Sequence, residues 1–179
     1  MRRPRCFPDE SALRQNAVHQ RRFHGRNAVS NLNASPSIFF HNEGGALPDD
    51  HDEASLVRWI TSVIEARGGK LGELSYIFCD DEYLHEINVA YLQHDTLTDI
   101  ITFPFAEFPT ISGDIFISTE RVRENATEYD QSFDDELHRV IIHGVLHLCG
   151  QSDKGDEEQV KMRELEDWAL STRPAAMLP

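Results

Sequence analysis

The stretch VIIHGVLHLCG, Val140 to Gly150, constrains the fold of this chain more than any other. From Val140 to Cys149 the only polar side chains are two histidines, His143 and His147. A helix that is apolar all round belongs in a core, so other elements must surround it. The i and i+4 spacing puts both imidazoles on one face, about one turn apart. This is how a helix offers two nitrogen ligands to one metal ion. Gly150 can end the helix in a left-handed conformation and turn the chain back. Asp153, six residues after His147, then stands where a third ligand can reach the same ion. Two histidines and a carboxylate leave positions open for water, which is the layout of a catalytic site rather than a closed structural one. The competing reading is a pair of core histidines satisfied by hydrogen bonds alone. The residue after the first histidine is Gly144, so the general base of an H-E-x-x-H peptidase is missing.

The elements that bury this helix are legible on either side of it. SIFFHN from Ser37 predicts a short strand. DDHDEASLVRWITSVIEARGG predicts a helix, with Asp49 to Asp52 at its positive end and Gly68-Gly69 as its stop. In LGELSYIFCD, Leu74, Tyr76 and Phe78 alternate with Glu73, Ser75 and Ile77, which predicts a strand. DEYLHEINVAYL predicts a second helix, TDIITFPF and GDIFIST two further strands, and TERVRENATEY another helix. Ser132 is the expected N-cap of the histidine helix. The last helix, DEEQVKMRELEDWALSTR, is expected to bury Val160, Leu165, Trp168 and Ala169. The order β α β α β β α α α implies one α/β (α+β) domain over residues 37–179. Its mixed sheet of about four strands is covered by helices, with the metal-binding helix in the core.

Charge divides the chain. Residues 1–36 hold seven arginines against Asp9 and Glu10, a balance of +5; the rest holds 10 basic and 29 acidic residues, a balance of −19, which together give −14. The first segment is read as a disordered basic arm, a transit-like peptide, or an extension from a start codon set too far upstream. It has no apolar stretch of the kind a secretory signal needs. No run reaches the roughly 18 apolar residues of a membrane span, so no membrane association is expected. An acidic domain is poorly suited to gripping nucleic acid through charge alone. Cys6, Cys79 and Cys149 form neither a disulfide framework nor a CxxC pair. Cys79 and Cys149 read as buried free thiols, which fits a reducing cytoplasm.

Several motifs in order are similar to a known family. HGVLHLCGQSD resembles the H-G-x-L-H-L-x-G-Y-D-H signature of the YbeY family of metal-dependent endoribonucleases. EINVAYLQHDTLTDIITFPF is similar to that family's L-N-x-x-Y-R-x-K-D-x-P-T-D-V-L-S-F-P-F, and SGDIFIS to its L-G-D-I-x-I-S. The resemblance runs from about Ser37 to about Arg173. It implies one divalent ion, zinc in the first instance, held by His143, His147 and residue 153. It implies cleavage of single-stranded RNA in 16S rRNA 3′-end maturation and ribosome biogenesis. It implies ribosomal RNA and the small ribosomal subunit as partners, with ribosomal proteins or an assembly GTPase beside them. A metal-bound assembly factor without nuclease activity, or another metallohydrolase such as a peptidase, is the alternative.

The chain departs from the family pattern at informative places. The third histidine is Asp153, a harder ligand that weakens the ion as a Lewis acid and widens the choice to Mn or Fe. The family's arginine is Leu92 and its lysine is His94. His94 is then the candidate catalytic residue, supplying a proton or a positive charge in the working pH range. Arg139, one turn before His143, is expected to pair with Glu136 or Asp135. Asp99 and Asp114 are candidates for fixing the imidazole tautomers. Within the domain, Arg121 and Arg123 form the one basic cluster besides scattered singles, and an exposed helix face explains them equally.

Overall fold

Three parallel strands and one antiparallel strand form the frame on which everything else is laid. The computed structural model describes residues 36–45, 47 and 52–177. The expectations for residues 1–35 and for Asp49, Asp50 and His51 lie outside the described residues. Strand β1 (Ser37–Glu43) pairs parallel with β2 (Lys70–Cys79), and β2 pairs parallel with β4 (Thr110–Ser118). Strand β3 (Ile100–Pro104) runs antiparallel on the far side of β4, giving the order β1-β2-β4-β3. The mixed four-stranded sheet and single domain agree with the sequence reading.

The helices are α1 (Glu53–Ala66), α2 (Asp81–Ile87), α3 (Thr119–Glu128), α4 (Phe133–Leu148) and α5 (Asp156–Ser171). Side-chain caps start the first four. Asp52 accepts from Ala54 and Ser55, Asp80 from Tyr83, Ser118 from Arg121, and Ser132 from Asp135. Each cap satisfies an amide that the first turn leaves without a partner.

Two hydrophobic cores lie on opposite faces of the sheet. One joins Leu74, Tyr76 and Phe78 of β2 to Trp59 and Ile60 of α1 and to Val140, Ile141 and Val145 of α4. The other joins Ile77, Cys79, Ile101, Phe103 and Phe116 to Leu84 and Ile87 of α2. The alternation in β2 therefore separates core from core, and Leu74 to Cys79 are all buried. Helix α4 is buried at every position from Val140 to Leu148, as its composition demands. Gly144 is the point of closest approach to the sheet. A Cβ there would stand 3.0 Å from side-chain carbons of Ile100 and Ile115.

Two sequence expectations are corrected. DEYLHEINVAYL is not one helix: α2 ends at Ile87, and Asn88–Leu92 continue as a π-helical turn closed by Gln93 at φ +56°. The buried Asn88 donates from Nδ2 to Thr96 O at 2.7 Å, tying the widened turn to the following loop. Such widened turns recur at functional sites. On α5, Val160 is 59% and Trp168 38% exposed, whereas Met162, Glu166 and Ala169 are buried. The azimuth of α5 follows the stripe that carries Glu166 inward. Trp59 Nε1 on α1 donates to Ala169 O at 3.0 Å and holds the far end of α5 in place.

Candidate metal centre

The site is built where α4 ends. Gly150 adopts φ +86°, a conformation that glycine tolerates without strain. Gly150 N–H donates to His147 O at 2.8 Å, and Gln151 N–H to Leu146 O at 3.0 Å. This paired closure satisfies the last carbonyls and reverses the chain. The reversal does two things for the histidines. It puts the Gln151 carbonyl 2.8 Å from His147 Nδ1, and it brings the Asp153 carboxylate back over the helix end.

His143 is held from a different direction. Its Nδ1 lies 2.7 Å from Glu166 Oε1 on α5. Both Nδ1 atoms therefore face acceptors, a carboxylate for His143 and a carbonyl for His147, and each must carry the ring proton to donate. The two Nε2 atoms are left with lone pairs, and they stand 2.9 Å apart. Asp153 Oδ2 lies 3.8 Å from His143 Nε2 and 3.6 Å from His147 Nε2. With both ring protons on Nδ1, three electron-pair donors converge, a set that could hold a metal ion. Ligands about 2.1 Å from a tetrahedral ion lie about 3.4 Å from one another. The three ligand atoms, all within 4.8 Å of one another, fit that requirement. The three sequence-nominated ligands His143, His147 and Asp153 are therefore brought together.

The surroundings are mostly buried. His143 and His147 are buried, and the Asp153 side chain is 12% exposed. Cys149, the last residue before the turn, is a free thiol that burial pushes up to about 11. It stays protonated at neutral pH and does not compete as a thiolate ligand. Burial likewise pushes the Cys79 thiol up to about 12. Beside the cluster lies a cleft of about 270 Å³, lined by His147, Gly150, Gln151, Ser152, Asp153 and Lys154. Lys154 is the one cation among those lining residues.

The other nominated residues go elsewhere. His94 is exposed on the loop after the π-turn, its N–H 3.4 Å from Asn88 O, outside the ligand cluster. Leu92 packs against the second core. The carboxylates behind the imidazoles are not Asp99 and Asp114. Asp99 accepts from Asn125 Nδ2 at 3.1 Å, and Asp114 is a buried residue of β4. The group behind His143 is Glu166, 23 residues away on another helix, which sequence spacing could not find. Arg139 does form ion pairs, but with Glu166 at 3.1 Å and Asp167 at 2.6 Å. Asp135 pairs instead with Arg173 at 2.7 Å. Burial works against the Arg139 charge, yet the bond to Asp167 and the Glu166 carboxylate outweigh it, so its pKa is raised. Arg121 binds Asp81 and Glu124, and the Arg123 guanidinium lies 5.0 Å from the Phe133 ring centroid. Arg121 is thus tied up in ion pairs, whereas Arg123 stays exposed over the Phe133 ring.

Comparison with known proteins converges on one family. The family model described as Endoribonuclease YbeY matches residues 43–173. The Endoribonuclease YbeY of Bacteroides thetaiotaomicron is 47% identical over 137 residues, covering 76% of this chain and 99% of that protein. That of Parabacteroides distasonis is 53% identical over 138 residues, covering 77% and 96%. A solution structure of a Thermotoga maritima protein superposes with a TM-score of 0.54 at 26% identity, covering 75% of this chain and 87% of that one.

Proposed function

The chain belongs to the endoribonuclease YbeY family, and on that premise we propose that it is a metal-dependent endoribonuclease of ribosomal RNA processing. Its substrate is single-stranded RNA, and its place of action is the 3′ end of 16S rRNA on the small ribosomal subunit. His143, His147 and Asp153 are its metal ligands and zinc is the ion. The observation that carries this reading is the convergence of two Nε2 atoms and one carboxylate oxygen at the end of α4.

A divalent ion held there supplies Lewis acidity and activates water for attack on phosphorus. The protein's own groups do the rest. The Gln151 carbonyl and the Glu166 carboxylate aim the two rings. Asp153 offsets one unit of the ion's charge, so cations for the phosphate backbone must come from outside the ligand set. Lys154 on the cleft is placed to contact a substrate phosphate, in a chain whose family arginine is Leu92. His94 on the neighbouring loop is the candidate for a further proton or positive charge.

Gly144 argues against a peptidase, because the glutamate of such a site would have to fit where a single Cβ already meets Ile100 and Ile115 at 3.0 Å. The net charge of −14 supports a presented substrate, with the ribosomal particle, its proteins or an assembly GTPase bringing the strand to the cleft. The two free thiols support a reducing cytoplasm. Among the described residues no helix is long and apolar enough to cross a membrane. The test is cleavage of a 16S rRNA precursor by metal-reconstituted protein, with His147→Ala as control. Equal cleavage by both would overturn the reading. Naked single-stranded RNA should be cut weakly, and better at low salt.

A further inference from the structure

We propose that Glu166 is a positioning residue for the metal centre, held in place by Arg139, and that it makes the two histidine ligands unequal. This rests on the metal-centre reading above. His147 is backed by a neutral carbonyl, Gln151 O at 2.8 Å. His143 is backed by a carboxylate, Glu166 Oε1 at 2.7 Å. A charged acceptor behind an imidazole fixes the Nδ1–H tautomer more firmly than a carbonyl does, and raises the basicity of the opposite nitrogen. His143 is therefore the stronger donor of the pair.

The carboxylate is only 5% exposed, and a buried charge needs a partner. Arg139 is that partner. It projects from α4 one turn before His143 and meets the second oxygen, Glu166 Oε2, at 3.1 Å. Each carboxylate oxygen thus has its own donor, and the carboxylate cannot swing away from His143 without breaking a buried ion pair. Asp167, itself 59% exposed, also meets the Arg139 guanidinium, at 2.6 Å, but does not reach the ring. Glu166 on α5 and Arg139 on α4 together fix one ring, so α5 would take part in ligation although it supplies no ligand.

The test uses the full chain. Glu166→Gln keeps the size, removes the charge, and can turn an amide N–H toward Nδ1. Its affinity for zinc, read by competition with a chromophoric chelator, is expected to fall roughly 10- to 100-fold. Asp167→Asn, which reaches only the guanidinium, is expected to stay within about twofold of the parent. Long-range ¹H–¹⁵N spectra of the metal-free protein read the tautomers directly. The unaltered chain is expected to carry the His143 proton on Nδ1, and Glu166→Gln to carry it partly on Nε2. An Nε2–H tautomer in the unaltered chain would overturn the proposal without recourse to any variant. So would Glu166→Gln binding zinc within about twofold of the parent. Absence of RNA cleavage together with the expected shifts would overturn the nuclease reading and uphold the role of Glu166.

Discussion

The end of α4 and the segment from Asn88 to Asp99 are built in opposite ways. At the end of α4 the two rings are held from behind: Nδ1 by an acceptor, Glu166 by Arg139, and the backbone by the turn at Gly150. From Asn88 to Asp99 the chain is a π-turn and an exposed loop. It is tied down by Asn88 to Thr96 O at 2.7 Å and by a largely exposed His85–Asp95 pair at 2.9 Å. The first region is a braced cluster of candidate ligands, and the second is a more exposed turn and loop. The chain's departures from the YbeY pattern that its sequence resembles divide the same way. Position 153, a candidate ligand, carries aspartate where that pattern has histidine, whereas Leu92 and His94 stand where it has two cations.

Five measurements break or sharpen this contrast. The largest effect is expected from stripping the ion with a chelator. An ion present at 100 times its Kd stabilises by about 2.7 kcal/mol, which at this size corresponds to a Tm shift of roughly 5–10 °C. An unchanged Tm would show that the first region is no more bound to its ion than the loop is. Next is Gly144→Ala, which presses a methyl onto Ile100 and Ile115 and is expected to destabilise by about 1–3 kcal/mol in urea unfolding. A neutral result would mean that α4 can slide on the sheet. Gly150→Ala meets no atom within 4 Å and acts only through its backbone conformation, with an expected loss of about 1–2 kcal/mol. Because the same turn positions Gln151 and Asp153, zinc affinity should fall with it.

The smallest effects concern the substrate. Lys154→Ala should leave zinc affinity and Tm unchanged, raise KM several-fold, and reduce the salt slope of RNA binding by about one. His94→Ala should reduce cleavage only a few-fold. A loss with His94→Ala as complete as that with His147→Ala would erase the contrast and move essential chemistry into the loop.

Legibility in the sequence follows the range of each interaction. The α4 helix, its cap at Ser132, its stop at Gly150 and its three ligand candidates are written within 22 residues. The element order came from the same kind of local periodicity. What escaped depends on how helices dock. Helix α5 carries apolar residues around much of its circumference, so its pattern alone allows either Val160 and Trp168 or Met162 and Ala169 to face inward. The inward choice is tied to a polar residue, Glu166, meeting His143 and Arg139 across helices. Asp99 and Asp114 are acidic candidates by type alone, and neither is the group behind a ring. The π-turn escaped because its cause is a single buried amide reaching eight residues ahead.

The reversal at Gly150 fixes where residue 153 stands without fixing what it is. The path of the backbone is set by Gly150 and Gln151 bonding to His147 and Leu146, two carbonyls that belong to the helix. Position 153 is thus a socket: one substitution there resets the charge and hardness of the centre while the rest of the mount stays intact. In this chain the socket holds aspartate.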